Sequence, residues 1–157
     1  MSIFEDGLKK NQANYAPLSP LSFLERTRNT FPNHIAVEYK DYKINYKEAG
    51  ARCDALAHFI KNKQLIAVML PNIPVMWECH YGIPMASSII NAINTRLDSH
   101  TVNFILGHGE AQLFIFDSEY SEIIEKALDG MLNPPILVEF VDHLVGNKRS
   151  EFANKIN

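Results

Sequence analysis

The sequence holds 157 residues, 46% of them hydrophobic and 21% charged, with a formal net charge of -3. A mean hydropathy of -0.13 on a chain of this length fits one ordinary domain with a real core, and excludes both charge-driven disorder and a wholly membrane-embedded chain. Acidic and basic residues are mixed along the chain, and its one tight basic pair near the end, Lys148 and Arg149, is too small a patch to point to nucleic acid.

Residues 1–16 are expected to form an extended lead-in, because asparagines and the following Pro17 and Pro20 disfavour packed structure. No basic-then-apolar leader opens the sequence, and no apolar run reaches the length of a membrane span. "SPLSFLERTRNTFP" then predicts a short helix: Ser19 caps it, Pro20 suits its first turn, Leu21, Leu24 and Phe31 give an apolar stripe, and Pro32 ends it. From Ile35 the period changes to two. "IAVEYK" and "YKINY", joined at Lys40 and Asp41, predict a hairpin.

Asn45, followed three residues later by Glu48, reads as the cap of the next helix, whose buried face carries Tyr46, Ala49, Cys53, Leu56 and Ile60. The run "LIAVML" at Leu65 to Leu70 is apolar throughout, as a strand must be when helices cover both of its faces. "IPVMWECHYGIPMAS" is apolar nearly all round and so predicts a central helix, ended or bent at Pro84. "SIINAI" predicts a second central strand. Asp98 or Ser99 caps a helix with Val102, Ile105 and Leu106, and "QLFIFD" is a third strand. A helix striped with Tyr120, Ile123, Ile124, Ala127 and Leu128 and a fourth strand, "ILVEFV", follow, and residues 142–157 are a polar tail of uncertain packing. The fold class is therefore α/β, a parallel βαβ layer with a small N-terminal antiparallel hairpin.

No complete active site is found in this pattern. The seven glycines are scattered and no Gly-Lys pair supplies a P-loop, so Gly107 and Gly109 are read as a helix C-cap. His34, His58, His80, His100, His108 and His143 form no zinc or His-Glu-x-x-His pattern, and His80 is taken as a hydrogen-bonded core residue. Cys53 and Cys79 are too far apart for a Cys-x-x-Cys site; two buried thiols suit a reducing compartment such as the cytoplasm. Asp117, at a strand's carboxyl end, is where α/β proteins often place a ligand-binding group, but beside Ser118 the reading as a helix cap is the favoured one. Asn91, Asn94, Arg96 and Asp98 have the same two readings. No catalytic, cofactor-binding or metal residue is assigned on these grounds.

Four blocks, "NYAPLSPLSFLERT", "INYKEAGARCDALA", "IAVMLPNIPVMWECHYGIPMA" and "NAINTRLDSHTVNFILGHGEAQLFIFD", together resemble the amino-terminal region of the adenylate-forming superfamily, specifically plant-type acyl-activating enzymes. The resemblance covers about Asn14 to Ile124 and implies a single partial AMP-binding domain over 1–157. It implies an acid–CoA ligase, in which ATP and a carboxylic acid form an acyl-adenylate and coenzyme A then displaces AMP, with Mg²⁺ stabilising the phosphoryl charge. The superfamily's Thr-Ser-Gly-Thr-Thr-Gly-x-Pro-Lys-Gly loop has no counterpart here, since the chain lacks even a Gly-Thr pair. ATP, Mg²⁺ and coenzyme A are therefore expected of the full-length family and not of this chain alone, which is read as a truncated or fragmentary ligase, inactive by itself. By the same resemblance, the Asn94 to Asp98 turn supports the adenylating site without forming it.

Two departures matter: "KNKQ" replaces a longer connection before Leu65, and the sequence ends after "ILVEFVDHL" and a polar tail, with no Ser-Lys-Leu peroxisomal address. An incomplete sheet would leave an unpaired edge, so the alternative is a non-catalytic binding or regulatory module that self-associates or pairs with a related synthetase. A carboxylic acid would be a partner only if the missing region completed the site. An unrelated nucleotide-binding α/β protein, motivated by Asp117 alone, is a third reading.

Overall fold

Ser19 turns its Oγ onto the Leu21 N–H at 3.3 Å, and helix α1 (Pro20–Thr30) begins with proline where no backbone donor is needed. The computed structural model describes residues 19–150 and Phe152, so the lead-in over 1–16 and most of the last seven residues lie outside the described residues. Leu24 buries the inner face of α1, whereas Phe31 stays half exposed and stacks on His34 instead of joining the expected stripe. Strands β1 (Ile35–Tyr39) and β2 (Tyr42–Asn45) form the predicted hairpin, with Lys40 taking a positive φ of 53° in the turn. Asn45 then accepts from the Glu48 N–H at 2.9 Å and starts α2 (Tyr46–Phe59). Ala49, Cys53 and Ile60 are fully buried, as the periodicity requires.

The main sheet is parallel, in the order β4-β3-β5-β6: β3 (Leu65–Met69), β4 (Ile89–Ala92), β5 (Leu113–Asp117) and β6 (Ile136–Phe140). Helices α3 (Pro74–Met85), α4 (Ser99–His108) and α5 (Ser121–Leu128) make the crossovers. The expected parallel layer with an antiparallel hairpin is what forms. "SIINAI", however, is an edge strand and not a central one, and Ile89 is 63% exposed. The chain leaves β4 and crosses to the far side of β3, which strands β4 at the margin; an apolar run cannot reveal that reversal.

β5 shows why the sheet holds. Phe114 and Phe116 point to one face, packing with Met69, Val102, Leu106 and Ile124 under α4 and α5. Leu113 and Ile115 point to the other, packing with Ile66, Val68, Ile60, Cys79 and Ile83 beneath α2 and α3. Helix α3 buries Glu78, Cys79, Gly82 and Ile83 against these elements. Its other side is only half covered by neighbours, with the Trp77 and Tyr81 rings tilted against each other there, centroids 4.6 Å apart, so it is less central than its composition suggests. Pro84 sits in its last turn, and the helix ends one residue later, as predicted.

After α2 the short "KNKQ" turn closes with Lys63 N–H donating to the Ile60 carbonyl at 3.0 Å and with Asn62 at φ 72°. The end of α4 departs from the glycine-cap reading: Gly107 is inside the helix, Gly109 has a right-handed conformation, and Glu110 takes the left-handed position at φ 53°. The N–H groups of Glu110 and Ala111 donate to Gly107 and Leu106, the paired bonds of a Schellman turn, at a conformational cost of about 1 kcal/mol for a residue with a Cβ. Ser87 does the same after α3, at φ 59°, with its own N–H and that of Ser88 donating to Pro84 and Ile83. Cys53 and Cys79 are buried and free, and desolvation pushes both thiols up to about 12, which makes them poor nucleophiles at neutral pH.

Candidate functional site

Helix α3 covers one face of the sheet as the chain moves from β3 to β4, while α5 covers the other as it moves from β5 to β6. The direction of winding therefore reverses between β3 and β5. The crevice outside the carboxyl ends of those two strands is the place where an open α/β sheet offers a ligand site. Asp117 stands there.

Its carboxylate is fully buried. Oδ1 accepts from the Glu119 N–H at 2.9 Å, capping a 3-10 turn over Ser118 to Tyr120, and from Asn147 Nδ2 at 3.0 Å. Asp117 Oδ2 and Ser118 Oγ have no hydrogen-bond partner among the described residues. The capping reading of Asp117 is therefore the one the structure shows, with its carboxylate buried. Asp142, also buried, accepts from the Tyr39 hydroxyl at 2.8 Å and from the Leu144 N–H at 2.9 Å. The bond to Asp142 is the main reason the Tyr39 phenol is raised above its ordinary value, with burial and the carboxylates of Asp142 and Asp117 adding to it.

The segment after β6 therefore has definite packing as far as it is described. A 3-10 turn over His143 to Val145 follows Asp142, Asn147 reaches back to Asp117, the Ser150 N–H donates to Glu139 Oε1, and Phe152 packs on the core under α4 and α5. Lys148 is exposed, and Arg149 approaches Glu139 at 3.9 Å while remaining largely in solvent.

Beside this cluster lies an apolar groove of about 250 Å³ between the hairpin, the start of α3 and the end of β6. A second groove of about 310 Å³ runs between β1 and α3, with Asn72, Trp77 and His80 in its wall. His80 corrects the sequence reading: it is hydrogen-bonded, through Nδ1 to the Met76 carbonyl at 2.8 Å, but it is exposed and not part of the core. The other five histidines are exposed as well, and no group of three or more His, Cys, Asp or Glu among the described residues is arranged for a metal ion.

The turn after β4 is satisfied locally. Asn94 Oδ1 accepts from the Arg96 N–H at 3.0 Å, and Asp98 Oδ1 accepts from the Thr101 N–H at 2.9 Å as the cap of α4. Arg96 is exposed, and Asn91 lies against Gly109, where an added Cβ would meet its Nδ2 at 3.3 Å. The two bonds from Thr101, backbone first and hydroxyl second, hold the Asp98 carboxyl below its usual range. A depressed folded-state value contributes stability above the unfolded value near 3.9, and that contribution is lost as pH falls through the lower folded value. Asp98→Asn keeps a neutral cap, so thermal melts at about pH 6 should favour the wild type and the gap should narrow as pH falls below the unfolded value of about 3.9. A gap that persists unchanged into acid would count against the charged cap.

Against this geometry, a family model described as AMP-binding enzyme matches residues 24–155. The chain belongs to the AMP-binding enzyme family. Among curated relatives, an acetate–CoA ligase of Humulus lupulus is 33% identical over 162 residues, covering 96% of this chain and 28% of that protein. A peroxisomal trans-cinnamate:CoA ligase of Petunia hybrida is 37% identical over 134 residues, covering 82% and 23%. This member of the AMP-binding enzyme family therefore spans about a quarter of the length of the curated relatives it matches.

Among solved structures, a long-chain-fatty-acid CoA ligase homologue of Rhodopseudomonas palustris superposes with a TM-score of 0.72 at 18% identity, over 87% of this chain and 36% of that one. An anthranilate CoA ligase in complex with anthranoyl-AMP superposes with a TM-score of 0.68 at 19% identity, over 87% and 26%. At such identities these two show the fold. The adenylate-forming resemblance read from the four sequence blocks is correct.

ATP and Mg²⁺ are implied by the family, but Asp117, the buried group at the switch point, brings no cation or N–H donor to a triphosphate: its Oδ1 caps the Ser118–Tyr120 turn and holds Asn147. No catalytic step is derived through these residues.

Proposed function

We propose that these 157 residues form the amino-terminal scaffold of an acid–CoA ligase and do not adenylate a carboxylate by themselves. The observation that carries the reading is the conjunction of a family match over 24–155 with a sequence that has no glycine-rich phosphate loop, while Asp117 at the switch point is taken up in capping. The turn from Asn94 to Asp98 supports it from another side, since its polar side chains are used in capping the helix that braces the sheet. ATP, Mg²⁺, coenzyme A and the acid belong, on this reading, to a site completed by other residues of an AMP-binding domain. The chemistry that selects the acid lies with those residues. Two buried free thiols support a reducing compartment such as the cytoplasm.

Purified chain incubated with ATP, Mg²⁺, labelled pyrophosphate and a panel of carboxylic acids is expected to give no acid-dependent pyrophosphate exchange. Exchange that depends on the acid, and that follows the protein through size-exclusion chromatography, overturns the proposal. The second reading, a non-catalytic module that pairs with a related synthetase, draws its support from the apolar groove beside Asp142.

A further inference from the structure

Asp142 gathers residues 142–147, just beyond β6, into a closed knuckle. Its Oδ1 accepts from the Leu144 N–H at 2.9 Å, and its carbonyl accepts from the N–H groups of Val145 and Asn147 at 3.3 and 3.1 Å. The Gly146 N–H donates to the His143 carbonyl at 3.2 Å, and Gly146 turns the chain with a φ of 82°. Four successive amides are thus satisfied inside the segment, so it can keep its shape without its neighbours.

The ties from the knuckle to the rest of the fold lie at its two sides. On the hairpin, the Tyr39 hydroxyl donates to Asp142 Oδ2 at 2.8 Å and Lys40 Nζ donates to the Leu144 carbonyl at 3.0 Å. At the switch point, Asn147 Nδ2 donates to Asp117 Oδ1 at 3.0 Å. Little apolar burial adds to these bonds, because Leu144 and Val145 remain 51% and 48% exposed. The chain on either side is anchored: β6 pairs with β5 before the knuckle, and after it the Ser150 N–H is held by Glu139 while Phe152 packs on the core. The knuckle is therefore a short bridge between pinned ends.

Closure carries a cost at the switch point. Asp117 is fully buried, yet its Oδ2 has no hydrogen-bond partner among the described residues. A stranded carboxylate oxygen favours any state that returns it to water. The carboxylates of Asp142 and Asp117 also both lie near enough to the Tyr39 phenol to raise it, so the closed knuckle holds two like charges around one hydroxyl. A few polar ties against a desolvated acceptor place the knuckle among the segments that open well before the sheet does.

We propose that residues 142–147 are a latch that swings open as one body, releasing the hairpin and the Asp117 carboxylate together, so that the hairpin controls whether the acceptor at the switch point is covered. The latch goes beyond the scaffold reading and does not depend on it, since it uses only contacts inside this chain.

Hydrogen exchange resolved by residue with NMR tests the latch on the chain itself. In the wild type, the amides of Leu144, Val145, Gly146 and Asn147 should share one degree of protection and open at least about tenfold more readily than those of β5. Asn147→Ala cuts the tie to Asp117 alone. It should speed exchange at Leu144 and Val145 about tenfold, although their own acceptors are untouched, and leave β5 unchanged. Tyr39→Phe cuts the tie at the hairpin and should speed exchange by a matching factor at Gly146 and Asn147.

Acceleration confined to the immediate neighbours of each substituted residue would mean separate contacts and overturns the latch. So does a wild type in which the four amides exchange only together with β5, or show no protection, because the knuckle then either never opens alone or is never closed. If Tyr39→Phe also lowers the protection of β5, Asn147→Ala decides by itself: acceleration at Leu144 keeps the latch, and an unchanged Leu144 removes it.

Discussion

Phe114→Ala is expected to remove about 3–5 kcal/mol of stability, a large part of the 5–15 kcal/mol typical of a domain. Phe114 is fully buried on a strand paired on both sides, its ring 5.6 Å from that of Phe116. The sheet backbone cannot collapse into the space left behind, because β5 is held by hydrogen bonds to β3 and β6. Leu132, 95% exposed, is the control, and Leu132→Ala should change stability by less than about 0.5 kcal/mol. Urea denaturation followed by circular dichroism reads both. A Phe114→Ala loss under about 1 kcal/mol would mean that β5 is not the packed centre described.

Arg52→Leu should cost about 2 kcal/mol, and adding Glu78→Leu should return most of it. Glu78 is buried in α3 with its side chain 8% exposed, and the partner guanidinium on α2 is 40% exposed. Breaking a fully buried pair costs about 3–5 kcal/mol, and the lower figure here allows for the solvent that reaches Arg52. The single substitution leaves a carboxylate between two helices without its cation; the double substitution leaves two apolar side chains where α2 and α3 already cross closely. Gly82 marks that closeness, since a Cβ there would come within 3.0 Å of the Cys53 carbonyl and the Leu56 side chain. Denaturation midpoints of the two singles and the double form the cycle. A double variant as unstable as Arg52→Leu alone would assign the loss to packing of the arginine stem and not to the stranded charge.

The two substitutions also separate what the sequence makes legible from what it hides. Phe114 lies in "LFIF", a run whose burial on both faces follows from its composition, and the helices and strands of the main layer follow from such runs and from caps such as Asn45 and Asp98. Arg52 and Glu78 are ordinary polar residues 26 positions apart, and no local pattern announces their pairing. Strand order is hidden for the same reason: "SIINAI" and "LIAVML" look alike, yet one is an edge and the other lies inside. Left-handed turns at Ser87 and Glu110 carry no glycine to mark them. The candidate site was half legible. Asp117 stood out at its strand end, but its link through Asn147 and the Tyr39–Asp142 bond join residues too far apart in the chain for any motif to register.

That last bond bears on how the protein is made. Tyr39 and Asp142 are 103 positions apart, so the early hairpin leaves the ribosome long before the residue that ties its tip is translated. β3, next in line, must likewise wait for both flanking strands, of which β5 ends at Asp117. Nascent chains arrested before Asp142 would expose the tyrosine face of the hairpin to chaperones, and proteolytic resistance of that hairpin should rise only once Asp142 has emerged from the ribosome.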